Sequence, residues 1–281
     1  MSEAETPSGK GAADENFPVG SYLLPKKLRP HVAVYYAFAR AIDDVADNPH
    51  LPSEEKVTRL EGFARAVRGE TDDPAYAKGH AMRRSNQQSG VTETHCLDLI
   101  SAFKQDAVKS RYESWVELID YCNRSASPVG RYLLDLHGED KTGYARSDAL
   151  CNALQVINHL QDCADDYAEM DRVYLPQAWM REAGTATEDL ARPLTTPGLR
   201  RVMDQCLDGT EALLRDARQL PGALKSRRLA LESAVIIRIA DRLTLRLMRE
   251  DPIATRVELS KPAALLCTAS GVLDVLLGRR R

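Results

Sequence analysis

The sequence lacks the features of zinc-finger, disulfide-rich and secreted proteins. Its six cysteines are scattered, and none belongs to a Cys-x-x-Cys pair or stands near a His-x-x-x-His pair. The N-terminal residues contain no apolar stretch that could serve as a secretion signal. These absences predict a cytoplasmic protein whose cysteines are reduced and mostly buried.

A strong charge of one sign and a long apolar run are also missing. The 38 basic and 41 acidic residues leave a net charge of −3, which favours neither nucleic acid nor an anionic membrane as a partner. The apolar stretch at residues 263–277 is interrupted by polar residues and is shorter than the ~20 apolar residues of a membrane span. We expect a core helix there. The alternative is peripheral contact with the inner face of the cell membrane through Leu265, Leu266, Leu276, Leu277 and the tail 279–281.

The alternation of apolar and polar residues that marks β-strands is almost absent. Apolar residues instead recur at spacings of three and four from Leu28 onward, which predicts an all-α fold. Helix starts are indicated at Ser53, Ser114 (with Glu117) and Thr196, and helix ends at Gly69, Gly138 and Pro176.

Two polar stretches, 70–90 and 184–198, are predicted to be loops. Neither has the length or composition of a domain linker. The sequence therefore predicts a single domain over residues 1–281, with residues 1–15 as a flexible tail.

A first acidic cluster spans residues 40–47, Arg-Ala-Ile-Asp-Asp-Val-Ala-Asp. It ends a run so apolar that its helix must be largely buried. At four-residue spacing Asp43 and Asp47 share a face, and Tyr36 and Arg40 continue that stripe.

A second acidic cluster spans residues 158–166, Asn-His-Leu-Gln-Asp-Cys-Ala-Asp-Asp, again on an apolar helix. Asn158, Asp162 and Asp166 follow one another at one-turn intervals. Each cluster therefore aligns carboxylates along a buried helix.

Solvated acids would explain either cluster alone. Like charges one turn apart are destabilising unless a cation lies between them, and carboxylate and amide oxygens suit Mg²⁺ that also binds a substrate phosphate. Together the clusters predict a magnesium–diphosphate site. A di-iron carboxylate bundle is disfavoured because Glu-x-x-His pairs are missing.

These residues resemble the squalene/phytoene synthase family over positions 16–259. The resemblance rests on 36–47 as a first aspartate-rich motif, on 121–130 as a middle motif, and on 158–176 as a second aspartate-rich motif. Further stretches, 15–20, 102–106 and 120–131, resemble the branch that forms hydroxysqualene in bacterial hopanoid synthesis. The family implies an isoprenoid synthase helical bundle with a central substrate cavity.

The resemblance also implies a reaction. Presqualene diphosphate would ionise with the help of Mg²⁺, and water would capture the rearranged carbocation to give hydroxysqualene. The predicted metal ligands are Asp43, Asp47, Asn158, Asp162 and Asp166, and Asp44 and Asp165 are either reserve ligands or acids that only meet solvent or the outer shell of the metal. The predicted substrate ligands are Arg40, Arg172, Asn16 and Gln161. The predicted catalytic residues are Tyr36, Tyr121, Ser125 and Ser127. The tyrosines would face the cation, and the serines would hold the attacking water.

Pro128 lies inside an apolar helical run and cannot donate to the carbonyl of Arg124. A helix kink is expected there, and the freed carbonyl dipole could hold a water or stabilise a cation. A kink that only shapes packing is the alternative.

Two other functions stay open on the sequence. One is a transferase of the same fold that condenses two farnesyl diphosphates head to head. It is disfavoured because Asp14-Glu15-Asn16 replaces the Ser-x-Ser pair of many relatives, and because Gln161 replaces an arginine. The other is a catalytically silent helical protein that docks on other hopanoid-pathway enzymes.

Overall fold

The computed structural model describes residues 4–7 and 23–278 of the chain. Within these residues there is no β-strand, and one isolated bridge pairs Arg111 with Val173. The helices are α1 Arg29–Asp47, α2 Ser53–Arg68, α3 Ala77–Ser89, α4 Thr94–Asp106, α5 Trp115–Ser125, α6 Ser127–Leu136, α7 Tyr144–Gln161, α8 Cys163–Met170, α9 Gln177–Glu182, α10 Pro197–Ala217, α11 Leu220–Ala223, α12 Arg227–Leu247 and α13 Lys261–Leu276. The predicted all-α fold is confirmed.

Most of the predicted helix boundaries coincide with real ones. The Ser114 side chain accepts a hydrogen bond from the Glu117 backbone at 3.2 Å, and α2 ends at Gly69 with a left-handed φ of 78°. Thr196 caps α10 through the Leu199 backbone N–H at 3.2 Å. Pro176 is different from the prediction, because it precedes α9 instead of ending a helix.

The predicted loop at 70–90 is wrong, because this stretch contains α3. The helix is polar in sequence, but its Met82 is fully buried and it packs on α1 and α2. A Cβ added at Gly79 would lie 2.8 Å from the Ala66 Cβ atom, which shows how closely α3 approaches α2. Tertiary packing thus stabilises a helix that hydrophobic periodicity does not reveal. The stretch 184–198 holds only a short 3₁₀ helix at Thr187–Ala191.

Two hydrophobic clusters form the interior. One is built from α5, α7, α10 and α12, and the other from α1 to α4 with α6. A cavity opens between them and is lined by residues of α1, α4, α5, α6, α7, α11 and α12. The fold therefore provides the central cavity that an isoprenoid synthase bundle requires.

Helix α13 is not the core helix that the sequence predicts. Gly271 is its one buried residue, and a Cβ there would lie 2.7 Å from the Val235 backbone of α12. The opposite side carries leucines that are 51–72% exposed: Leu265, Leu266, Leu273, Leu276 and Leu277. Within residues 4–7 and 23–278, no helix is long and apolar enough to cross a membrane.

Candidate active site

The cavity has a volume of about 360 Å³ and joins an apolar interior to a charged end. That volume lies within the range of small-molecule sites, about 300–1,000 Å³. Apolar residues, above all leucine, form most of its wall. Arg40 and Asp43 lie at the charged end, on the same face of α1 as Tyr36, which also lines the cavity. The arrangement suits a molecule with a long hydrocarbon part and an anionic group.

The first aspartate-rich segment lies on an uninterrupted helix. Proline in the first turn starts α1, and apolar residues at spacings of three and four bury one side of it. The Arg40 guanidinium binds Asp43 at 3.1 Å and Asp44 at 2.9 Å. Asp44 is therefore a buried partner of Arg40, while the Asp43 side chain is 30% exposed and faces the cavity.

Arg172 connects the first segment to the chain that follows the second one. It is 5% exposed, forms an ion pair with Asp47, and donates to the Ala46 carbonyl at 2.8 Å. Lys56 of α2 donates to the same Ala46 carbonyl at 2.8 Å. Burial and the nearby Arg172 charge lower the pKa of Lys56. Two cations thus neutralise the end of α1.

The second aspartate-rich segment is broken at Asp162. This residue separates α7 from α8, but the Asp166 N–H still donates to the Asp162 carbonyl at 2.8 Å. The kink leaves Asp166 close to the carboxylates of the first segment. The Asp162 carboxylate binds Arg256 at 2.6 and 3.2 Å, and Arg256 also binds Glu258 at 2.7 Å.

The carboxylates of the two segments influence one another. Burial, then the nearby Asp47 charge, raises the pKa of Asp43 well above its ordinary value. Burial, then Asp162 and Asp47, raises the pKa of Asp166 to about 8. Burial raises the pKa of Asp106 to about 7, although Arg172 lowers it. Negative charge is therefore concentrated where α1, α4 and α8 meet.

This charge concentration suits a hard cation. Among the described residues, no three or more His, Cys, Asp or Glu side chains converge closely enough to hold a metal ion by themselves. Mg²⁺ does not need such a cage, since it commonly binds one or two carboxylates, water and substrate phosphate. Burial is the main cause of the raised pKa values of Asp43 and Asp166, and the second cause is the charge of neighbouring carboxylates, which a divalent ion would neutralise. The donor set therefore fits Mg²⁺.

A group of aromatic side chains supports the middle of the site. Asp106, at the end of α4, accepts hydrogen bonds from Tyr121 at 2.5 Å and from Tyr174 at 3.2 Å. His159 stacks on Tyr174 with ring centroids 3.6 Å apart, and burial lowers the pKa of His159 to about 3. Tyr121 packs inside this group and does not line the cavity. Its predicted role toward a cation stays a prediction.

The predicted kink near Pro128 is present. Helix α5 ends at Ser125, α6 begins at Ser127, and Ala126 between them has a non-helical φ of −123°. Ser125 lines the cavity, and its hydroxyl is buried with no hydrogen-bond partner in the described part of the chain. Ser127 differs, since its hydroxyl donates to Asn152 at 3.0 Å and lies outside the lining.

The other predicted site residues lie in different places. Asn158 is half-buried on α7, one turn before Asp162. Gln161 is buried and donates to the Val257 carbonyl, outside the cavity wall. Asn16 lies outside the described residues. The roles assigned to these three side chains stay predictions.

Sequence reasoning gave no role to several side chains that the fold brings to the site. Asp106 and Lys56 lie beside the aspartates, Arg256 binds Asp162, and Glu232 lines the cavity while only 3% exposed. A charged residue inside the apolar face of α12 was the one available signal, and it pointed to Glu232. No feature of the sequence indicated a role for Arg256, because its partner Asp162 is 94 residues away.

Comparison with known proteins agrees with this geometry. The squalene/phytoene synthase family matches residues 11–263. A hydroxysqualene synthase from Rhodopseudomonas palustris is 40% identical over 281 residues, which cover 99% of this chain and 94% of the relative. One from Zymomonas mobilis is 40% identical over 267 residues, covering 94% and 89%.

Solved structures show the same fold. The squalene synthase HpnC from Alicyclobacillus acidocaldarius matches with a TM-score of 0.72 and 32% identity, covering 82% of this chain and 87% of its own. A dehydrosqualene synthase matches with a TM-score of 0.77 at 19% identity, over 94% and 93% of the two chains, which speaks for the fold alone. The predicted family is thus confirmed, and the chain belongs to the squalene/phytoene synthase family.

Proposed function

We propose that this protein is a Mg²⁺-dependent hydroxysqualene synthase, which converts presqualene diphosphate and water to hydroxysqualene and diphosphate. The observation that carries the proposal is the cavity itself. It combines an apolar wall, a charged end at Arg40 and Asp43, and a buried Ser125 hydroxyl that has no hydrogen-bond partner among the described residues. The names of the relatives at 36–40% identity agree with this reaction.

The charged end would receive the diphosphate. Mg²⁺ would be held there by several of the five predicted ligands, Asp43, Asp47, Asn158, Asp162 and Asp166. When bound, it would neutralise charge on the departing diphosphate. Arg40, which already lies in the cavity wall, would bind diphosphate oxygens. Arg172 holds Asp47 in place and adds positive charge behind the carboxylates. Loss of the leaving group would thus occur where positive charge is available.

The apolar wall would protect the carbocation that remains. Loose water is excluded by aliphatic side chains, and the Tyr36 ring offers a π face to positive charge. Water capture then needs one polar group in the apolar wall that can hold a water molecule. Ser125 supports that role because its buried hydroxyl has an unused hydrogen-bonding capacity, whereas the Ser127 hydroxyl is already bound to Asn152.

The alternative is a head-to-head prenyl transferase of the same family that condenses two farnesyl diphosphates. Incubation of the purified protein with Mg²⁺ and each diphosphate separately, followed by mass spectrometry of the lipid extract, distinguishes the two. We expect hydroxysqualene from presqualene diphosphate and no C30 product from farnesyl diphosphate alone. Formation of presqualene diphosphate or squalene from farnesyl diphosphate would replace the proposal by the transferase.

We also propose that α13 contacts a lipid surface. Four exposed leucines of α13, with Leu277 directly after it, form an apolar face, and the sequence continues with the basic residues 279–281. The proposed substrate and product are long hydrocarbons that partition into a bilayer. Flotation with vesicles containing anionic lipid should recover the protein, and Leu265→Gln with Leu266→Gln should reduce recovery severalfold. Leu194→Gln, which changes a leucine that is 62% exposed elsewhere, is the control. Equal recovery of all three proteins would exclude α13 as the contact.

A further inference from the structure

The carbonyl end of α1 and that of α2 are finished in different ways. Helix α2 ends with backbone hydrogen bonds, from the Gly69 N–H to the Ala66 carbonyl at 3.2 Å and from the Glu70 N–H to the Arg65 carbonyl at 2.8 Å. Helix α1 has no glycine at its end, and Asn48 after it has an extended backbone. The last four carbonyls of a helix have no partner inside it, so those of α1 depend on groups outside the helix.

Two of these four carbonyls accept hydrogen bonds from side chains of other segments. The Lys56 ammonium and the Arg172 guanidinium each donate to the Ala46 carbonyl at 2.8 Å. The Thr6 hydroxyl donates to the Asp44 carbonyl at 2.8 Å. Positive charge is favourable at this end of a helix, because the helix dipole is negative there. Three segments that are distant in sequence therefore hold the last turn of α1.

Lys56 and Arg172 differ in what else they hold. Arg172 binds the Asp47 carboxylate as well as the Ala46 carbonyl, so any movement of the Asp47 side chain also acts on Arg172. Lys56 comes from the first turn of α2 and donates to the backbone itself. It can therefore keep the backbone of α1 in place while the Asp47 carboxylate turns from Arg172 to another cation.

We propose that Lys56, assisted by Thr6, positions the metal ligands of α1, an inference that rests on the proposed Mg²⁺ dependence. By holding the backbone of the last turn, these side chains set where Asp43 and Asp47 stand relative to the second segment. A site whose ligands are already in place binds more tightly, because no binding free energy is lost in ordering them. Lys56 thus raises the metal affinity although its own charge repels a cation.

The test compares Lys56→Met with Lys56→Arg in the substrate-free protein. Mn²⁺ is the probe, electron paramagnetic resonance of free Mn²⁺ is the readout, and circular dichroism checks the fold. Loss of a nearby positive charge alone would tighten Mn²⁺ binding, whereas loss of positioning weakens it. Lys56→Arg keeps the charge and a donor for the carbonyl. Lys104→Met, which breaks an ion pair with Glu61 of α2, is the matched control.

We expect the dissociation constant of Mn²⁺ to rise about tenfold in Lys56→Met and about threefold in Thr6→Val, and to stay within about twofold of wild type in Lys56→Arg and Lys104→Met. Unchanged or tighter binding in Lys56→Met overturns the inference, as does equally weak binding in Lys56→Arg. If Lys56→Met does not fold, unchanged binding in Thr6→Val has the same consequence.

Failure of this inference can be told apart from failure of the proposed function. If the wild-type protein binds no Mn²⁺, the proposed metal site falls together with the role of Lys56. If Mn²⁺ binding follows the expected order but presqualene diphosphate yields no hydroxysqualene, the proposed reaction falls and the role of Lys56 stands.

Discussion

The two aspartate-rich segments face each other but are held by different means. In the first, Arg40 and its partners Asp43 and Asp44 belong to one continuous helix. In the second, the helix breaks at Asp162, and the cation on that residue is Arg256, which comes from the segment after α12. Asp43 and Asp44 therefore take their cation from a neighbour in sequence, whereas Asp47 and Asp162 take theirs, Arg172 and Arg256, from distant parts of the chain.

The two segments also differ in how deeply the arginine that binds each of them is buried. Arg172, which binds the first segment, is 5% exposed, whereas the side chain of Arg256 is 37% exposed. A guanidinium as buried as that of Arg172 is costly to remove, although its partner Asp47 is 40% exposed, while a pair exposed on both sides contributes little because water and salt screen it. The first segment should thus be rigid, and the second should exchange its cation readily.

Removal of Arg172 should have the largest effect. Arg172→Met leaves the Ala46 carbonyl and Asp47 without their buried donor, so we expect the free energy of unfolding to fall by about 3 kcal/mol. Thermal unfolding should show a Tm lower by about 6–10 °C. Arg181→Met, which breaks a pair with Glu113 that is more than 60% exposed on both sides, should change stability by less than about 1 kcal/mol. Equal effects would contradict the contrast between the buried and the exposed pair.

Loss of one carboxylate from either segment should reduce turnover strongly. For Asp43→Asn and for Asp162→Asn we expect kcat with presqualene diphosphate and Mg²⁺ to fall about 100-fold, or about 2.7 kcal/mol in activation free energy. Circular dichroism should show a folded helical protein in both cases. Asp165→Asn, in the same acidic run but exposed to solvent, is the control. Near-normal turnover in either variant would remove that segment from the metal site.

Asp106, between the segments, should make stability depend on pH. The unfolded chain loses this proton near the ordinary pKa of 3.8, and the folded protein keeps it up to about 7. Between these values the folded state binds more protons, so the contribution of Asp106 to stability falls as pH rises. Relative to Asp106→Asn, the metal-free protein should lose about 2 kcal/mol between pH 5 and pH 7.

Urea unfolding at pH 5, 6, 7 and 8 in the presence of EDTA measures this difference. Asp171→Asn, at a carboxylate that is 73% exposed, should give a curve parallel to that of the wild-type protein. A constant difference between wild type and Asp106→Asn across the range would show that Asp106 is ionised throughout.

The smallest effect is expected at Arg256. Arg256→Gln removes the internal cation from Asp162, so the substrate-free protein should bind Mn²⁺, a probe for Mg²⁺, a few times more tightly. Electron paramagnetic resonance of free Mn²⁺ measures this affinity, and Arg181→Gln is the control at a remote ion pair. Unchanged or weaker binding would indicate that Arg256 does not compete with the metal.

Much of the first segment could be predicted from the sequence. The apolar spacing of α1 and the four-residue intervals from Tyr36 to Asp47 place their side chains on one face, because helix geometry is local. The kink before Pro128 follows equally from a missing backbone donor. The all-α class and the family could also be predicted, because apolar spacing and short sequence motifs are local features of the sequence as well.

Tertiary structure decided the rest. Periodicity could not find α3, which depends on packing against α1 and α2, and it misplaced α13, whose leucines face outward because Gly271 turns the other side toward α12. Periodicity also could not distinguish the surroundings of Ser125 from those of Ser127. Because the helix breaks at Ala126, the Ser125 side chain lines the cavity, whereas the Ser127 hydroxyl donates to Asn152. The pairing of Asp162 with Arg256 and the burial of Glu232 in the cavity wall arise from contacts between elements far apart in sequence, which residue spacing does not encode.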